Sequence, residues 1–222
     1  MKNKLIFAII FTALGLIALQ IPINQLAGSR VKFTLFDLIA PTSGAFLGTG
    51  VGVISVLAIN VVNLLVNGVN SIEKGSVIRL FPSLFAVWFF AKKDSRQLFV
   101  PILAIIIFNL NPVGRSVWFY SLFWIIPILV WPFRDRFLLA RALGSTFYAH
   151  SVGGAIWIWA FNIPASVWVS LIPVVIFERG VFALGISAFY ILGNNVLAIV
   201  AKQRLLPKGF SVDKGYILKN LK

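Results

Sequence analysis

Residues 38–72 read LIAPTSGAFLGTGVGVISVLAINVVNLLVNGVNSI, without a single Asp, Glu, Lys or Arg. A helix rises about 1.5 Å per residue and bilayer hydrocarbon is roughly 30 Å thick, so about 20 apolar residues suffice to cross it. This run is too long for one crossing. In its middle stands Gly44-Ala45-Phe46-Leu47-Gly48-Thr49-Gly50-Val51-Gly52, where glycine supplies both a tight turn and close helix contact. The reading is a hairpin of two spans, about 33–48 and 50–67.

Working outward, the stretches 5–29, 97–114, 116–133, 142–177 and 180–201 are equally free of charge. Hydrophobic residues make up 59% of the chain and charged residues 12%, with mean hydropathy +0.95. A soluble domain carries about 25% charged residues. So apolar a chain of 222 residues has too little polar surface to cover a core in water. Segments of about 10 residues with alternating polarity, the mark of a membrane β-barrel, are missing. The expected fold class is therefore all-α: a polytopic transmembrane helix bundle forming one integral membrane domain over 1–222, with a basic cytoplasmic tail at 203–222.

The first run follows Lys2 and Lys4 and resembles a signal peptide, with Leu26-Ala27-Gly28-Ser29 as a cleavage region. The many later spans make a retained first span the better reading. Further spans are expected at about 77–91, 97–111, 116–133, 138–161 and 180–201. Arg79 would snorkel at the start of the first of these, and Asn111-Pro112-Val113-Gly114-Arg115 separates the second from the third. Residues 165–177, with Trp168 and Pro173, are too short to cross and read as interfacial or re-entrant. This gives eight crossings, or six if the 97–133 pair dips without crossing.

An even count puts both termini on one side. With the termini in the cytoplasm, Lys2, Lys4, Lys92, Lys93, Arg96, Arg134, Arg136, Arg141, Lys202, Arg204, Lys208, Lys214, Lys219 and Lys222 fall inside. Only Arg30, Lys32, Lys74, Arg79, Arg115 and Arg179 fall outside. That division follows the positive-inside rule. It also accounts for the net charge of +14 without nucleic acid, since no water-facing domain carries a basic patch. The expected location is a prokaryotic cytoplasmic membrane, multi-pass.

Polar residues inside apolar spans are costly unless they pair. Asn60, Asn63 and Asn67 share one helical face, serving either as interhelical glue or as a ligand-lining face. The lone histidine lies in Tyr148-Ala149-His150-Ser151-Val152-Gly153-Gly154-Ala155-Ile156-Trp157-Ile158-Trp159. His150 is either a packed, hydrogen-bonded residue or a ligand contact, and Trp157 either lines a site or belongs to an interfacial belt. Asn194 and Asn195 interrupt the last span beside Gly193. Asp37 and Glu178-Arg179 are cavity rims or ordinary interface charges. The candidate binding residues are Asn60, Asn63, His150, Trp157 and Asn194, in a pocket between the third, penultimate and last spans.

Catalysis is poorly supported. One His, six dispersed acids and no Cys do not make a metal-ligand cluster. No phosphate-binding glycine loop and no nucleophile elbow is present, so neither catalytic residues nor a cofactor is expected, and energised transport would need a partner.

The glycine hairpin, Phe81-Pro82-Ser83 before Lys92-Lys93, the 148–154 stretch with Trp157, and Pro173 with Glu178-Arg179 together resemble the substrate-binding (S) components of energy-coupling-factor vitamin transporters. The 148–157 segment is similar to the penultimate helix of thiamin-type members, whose His and Trp line the vitamin pocket. The resemblance covers roughly two-thirds of the chain. It implies a small molecule bound near the outer face, and a complex with a transmembrane coupling protein and two ATPase subunits. Two features depart from the family: the extra 97–133 pair, and a first helix with Ala8, Thr12, Gly15 and Ala18 in place of a strict Ala-xxx-Ala signature. The competing reading is a polytopic enzyme or scaffold of lipid, isoprenoid or envelope metabolism.

Overall fold

The computed structural model describes residues 2–25, 32–66 and 73–221. Asn67, Arg30 and the Leu26–Ser29 segment lie outside the described residues. Among the described residues the fold is all-α apart from one small hairpin. In order it forms α1 (Lys2–Leu19), β1 (Pro22–Gln25), β2 (Lys32–Thr34), α2 (Phe36–Leu47), α3 (Thr49–Val66), α4 (Lys74–Ile78) and α5 (Leu80–Phe90). There follow α6 (Phe99–Leu110), α7 (Pro112–Ser116), α8 (Ile126–Val130), α9 (Leu138–Ala160) and α10 (Ala165–Lys202).

The α2–α3 turn falls on Gly48, whose φ of +82° suits glycine and few other residues. Behind the turn the two helices touch through glycine. A Cβ on Gly52 would lie 2.8 Å from the Gly44 backbone, and one on Gly44 would lie 2.7 Å from the Val87 carbonyl of α5. Helix α9 is the centre of the bundle, packed by α5, α6, α8 and α10. Its small residues admit large neighbours: Gly144 accommodates Phe89, and Gly154 accommodates Trp124.

Two described helices are long and apolar enough to cross a membrane, Thr49–Val66 and Ala165–Lys202. Helices α2, α5 and α6, with 12, 11 and 12 residues, reach only about 16–18 Å at 1.5 Å per residue. The expectation of one full-length helix per crossing is thereby corrected. The apolar surface itself is extensive: Val66 is 75% exposed, Phe177 73% and Phe99 70%.

Three further expectations are corrected. Residues 165–177 and 180–201 form one helix of 38 residues, about 57 Å long. Pro173 lies inside it and forgoes a single backbone bond. Glu178 and Arg179 do not end it, because each side chain finds partners across the bundle. Residues 116–133 are not one helix but two 3₁₀ segments, Trp118–Ile125 and Trp131–Phe133, flanking α8. Pro127 and Pro132 each open a new short element there, since proline suits a first turn and breaks a longer one. Finally β1 and β2, unexpected in a chain read as all helix, pair antiparallel.

One end of the bundle is tied by cations and amides. Arg134 donates to Gln97 Oε1 at 2.8 Å and to the Ala91 carbonyl at 2.9 Å, and Arg141 donates to the carbonyls of Phe90 and Ala91. These guanidiniums sit at the C-terminus of α5, where the helix dipole favours positive charge. Asp94 caps the adjoining turn, and the Arg96 side-chain hydrogen bond holds its carboxyl below the usual value. The C-terminal tail returns to the same end. Asn194 donates to the Asp213 carbonyl at 2.9 Å and accepts from its amide at 2.7 Å, while Ser211 N donates to the Phe46 carbonyl.

Candidate functional site

Toward the other end of α2, α5, α9 and α10 a cavity of about 140 Å³ opens between the helices. Its charged part is built from two pairs. Asp37, in the first turn of α2, binds Arg79 at the α4–α5 junction. The same carboxylate accepts from Thr34 N at 2.6 Å and Thr34 Oγ1 at 3.2 Å, which ties β2 to the start of α2. Arg179, 3% exposed in the middle of α10, donates to Glu178 Oε2 at 3.2 Å and to Thr146 Oγ1 of α9 at 3.2 Å. Asn24 of β1 donates to the second Glu178 oxygen. Phe33 of β2 lies under both guanidiniums, 5.6 Å from Arg79 and 4.7 Å from Arg179, with Phe182 edge-on at 5.2 Å. The hairpin thus meets the cavity at its charged part through Phe33 and Asn24.

The remaining wall is aromatic. The 118–125 segment is rich in aromatic residues, and its 3₁₀ turns bring Tyr120 and Trp124 together against α9, both buried. Trp124 Nε1 lies 3.0 Å from His150 Nδ1, and Tyr120 Oη lies 3.2 Å from His150 Nε2. An indole N–H only donates, so Nδ1 accepts and the imidazole proton resides on Nε2. That proton is donated to Tyr120 Oη. The tyrosine O–H is then left to point elsewhere. Trp168 of α10 stacks edge-on against Tyr120, with ring centroids 4.9 Å apart. Trp157 lines the cavity from α9 and packs on Phe161 at 4.3 Å.

Of the five candidate residues, the structure brings two to this cavity, His150 and Trp157. The other three are placed elsewhere, for identifiable reasons. Asn60 stands one layer back and donates to Ser83 Oγ at 3.1 Å, Ser83 being the residue that lines the wall. Asn63 accepts at 2.7 Å from Gln20, the residue just past the end of α1, so it ties α3 to that end. Asn194 is fully buried at the opposite end, gripping the tail. Among the described residues helix α3 contributes no lining residue, which corrects the expected pocket: its walls are α2, α5, α9 and α10, with Phe33 of β2, Ile78 of α4 and Tyr120 of the 118–125 segment.

Tyr120, Trp168, Arg79 and Phe33 also line the cavity, beyond the five candidates. A signal existed for Arg79, a lone cation beside an apolar run, which more often marks an internal site than chance. None existed for Tyr120 and Trp168, whose segments show no usable periodicity. Two buried polar atoms on lining residues carry no hydrogen-bond partner, Trp168 Nε1 and Arg179 Nε. Buried donors are normally satisfied, so each such group calls for an explanation.

Comparison with family models, with curated proteins and with solved structures finds no match.

Proposed function

We propose that this chain is a multi-pass membrane protein that binds a small molecule, the substrate-specific subunit of an importer of the energy-coupling-factor kind. The observation that carries the reading is the cavity: concave, mostly apolar, with a few convergent polar groups, as binding sites are. It holds His150 and Trp157, the residues on which the resemblance to thiamin-type S components rests.

The membrane reading draws support from the exposed apolar faces of α3, α6 and α10. Six to eight crossings would use the short helices as partial spans, their free backbone groups satisfied by neighbours. Orientation follows from which groups share an end. Arg134, Arg141, Lys92 and the tail gather at the C-terminal ends of α2 and α5, whereas the cavity adjoins their N-terminal ends. With the basic end and both termini cytoplasmic, the cavity faces outward, where an importer first meets its cargo. The partners of such a subunit are a transmembrane coupling protein and two ATPases.

The test is to purify the protein in mild detergent, denature it, and search the extract for a retained small molecule by mass spectrometry. A stoichiometric compound supports binding, and co-purification of ATPase subunits from native membranes supports transport. A chain that retains no compound under any condition, and supports no uptake, would leave a scaffold as the better reading.

A further inference from the structure

Resting on the reading of the cavity as a ligand site, we infer that its ligand is an uncharged single-ring compound that presents a hydrogen-bond-accepting edge to Tyr120, Trp168 and Arg179. Size sets the first limit. A cavity near 140 Å³ is comparable to the roughly 150 Å³ apolar void known to hold benzene, which leaves room for one ring and a small substituent. Planarity follows from the walls, since Tyr120, Trp157 and Trp168 offer aromatic surfaces.

Polarity follows from an accounting of the polar atoms on the lining residues. Most of the lining acceptor oxygens are already engaged. Asp37 takes Arg79 and both Thr34 donors on Oδ2 alone, and Glu178 takes Asn24 on one oxygen and Arg179 on the other. Thr146 Oγ1 takes Arg179, and Ser83 Oγ takes Asn60. The donors are not all engaged. Trp168 Nε1 and Arg179 Nε have no acceptor, and the Tyr120 O–H is released because His150 donates to its oxygen. A ligand that satisfies these three donors accepts hydrogen bonds.

Charge removes the ionic alternatives. The cavity holds two guanidiniums and two carboxylates, each cation in contact with one carboxylate, so the lining carboxylates and guanidiniums sum to zero. An anion entering here meets no uncompensated cation, and a cation meets no free carboxylate. Either would be desolvated without recompense. A carbonyl oxygen or ring nitrogen faces no such penalty. His150 is on this account a positioning residue, which fixes the direction of the Tyr120 hydroxyl.

Four probes of one ring size separate these chemistries: acetophenone (neutral acceptor), benzoate, benzamidinium and toluene. Protein with ¹⁵N-labelled indoles, reconstituted in lipid nanodiscs, is titrated with each. The chain has 7 tryptophans, and the signal absent from Trp168→Phe identifies Trp168. Acetophenone is expected to shift the Trp168 indole proton downfield and to bind about tenfold tighter than toluene, one good hydrogen bond's worth. Tyr120→Phe, which keeps the ring, should lose about that factor for acetophenone and none for toluene. Tighter binding of benzoate or benzamidinium, or equal binding of acetophenone and toluene, overturns the inference. If no probe binds a protein that nevertheless retains a compound on purification, the edge chemistry is wrong and the binding reading survives. If there is neither probe binding nor a retained compound, both fall.

Discussion

Trp124 and His150 are joined by a 3.0 Å hydrogen bond from the indole nitrogen to Nδ1, across 26 residues of chain. Because indole cannot accept, this single contact fixes the tautomer of the only histidine and, through it, the direction of the Tyr120 hydroxyl. His150→Ala should weaken ligand binding by roughly 1–3 kcal/mol, the scale of a disturbed buried hydrogen bond. Trp124→Phe should produce a smaller loss in the same direction, about 1 kcal/mol, because the ring remains and only the orientation of His150 is freed. Isothermal titration of the retained ligand reads both. Wild-type affinity in His150→Ala would reduce His150 to packing.

Gly154 faces Trp124 so closely that an added Cβ would lie 2.5 Å from its ring. Gly154→Ala should therefore displace the indole and cost about 1–3 kcal/mol of stability, the usual range for overpacking. Gly153→Ala, whose Cβ would meet only Pro82 at 3.3 Å, should cost less. Thermal unfolding of the two variants in the same detergent ranks them. An order reversed from this would mean that the 118–125 segment yields easily.

Asn194 holds the tail from both sides of the Asp213 peptide group. Asn194→Ala removes both bonds and leaves a buried carbonyl and amide unmatched, so the tail should release. Limited trypsin cleavage at Lys208 and Lys214 should accelerate several-fold, while ligand affinity stays unchanged. Loss of affinity in this variant would connect the two ends of the bundle in a way the structure does not show. Replacing Lys214 or Lys219 should likewise leave affinity alone.

Cysteines introduced at Ser95 and Asn162 report on orientation. Ser95 adjoins the cationic end, and Asn162 follows the C-terminus of α9 at the opposite end. They should label from opposite faces of the membrane, Asn162 from outside. Equal labelling of both from outside would overturn the topology.

How much of this was legible beforehand varies with the physics of each segment. The α2–α3 hairpin could be read because a turn needing positive φ and a close helix contact both demand glycine, and the glycines stand at 44, 48 and 52. Helix α9 was legible because Asn162-Ile163-Pro164 ends it sharply. Helix α10 was not, since Pro173 and Glu178-Arg179 look like breaks in one dimension. Only the fold shows Arg179 paired with Glu178 and Thr146 and sandwiched by Phe33 and Phe182. The site was half legible for a similar reason. His150 and Trp157 share a helix face with glycines, which is a local pattern. Tyr120 and Trp168 reach the cavity from irregular or mispartitioned segments, and no spacing rule brings residues 120, 150 and 168 together. The asparagines misled because an amide in an apolar helix signals a partner without saying whether that partner is a ligand, another helix or the chain's own tail.

The most direct test compares wild type with Ala149→Phe, a benzyl group in place of a methyl on the cavity wall. Each is purified identically, checked for equal thermal stability, denatured, and its released small molecules quantified against protein by mass spectrometry. Close to one molecule per wild-type chain is expected, and almost none in Ala149→Phe. The same compound at the same ratio in both proteins would contradict it, because the bound molecule would then lie somewhere other than this cavity.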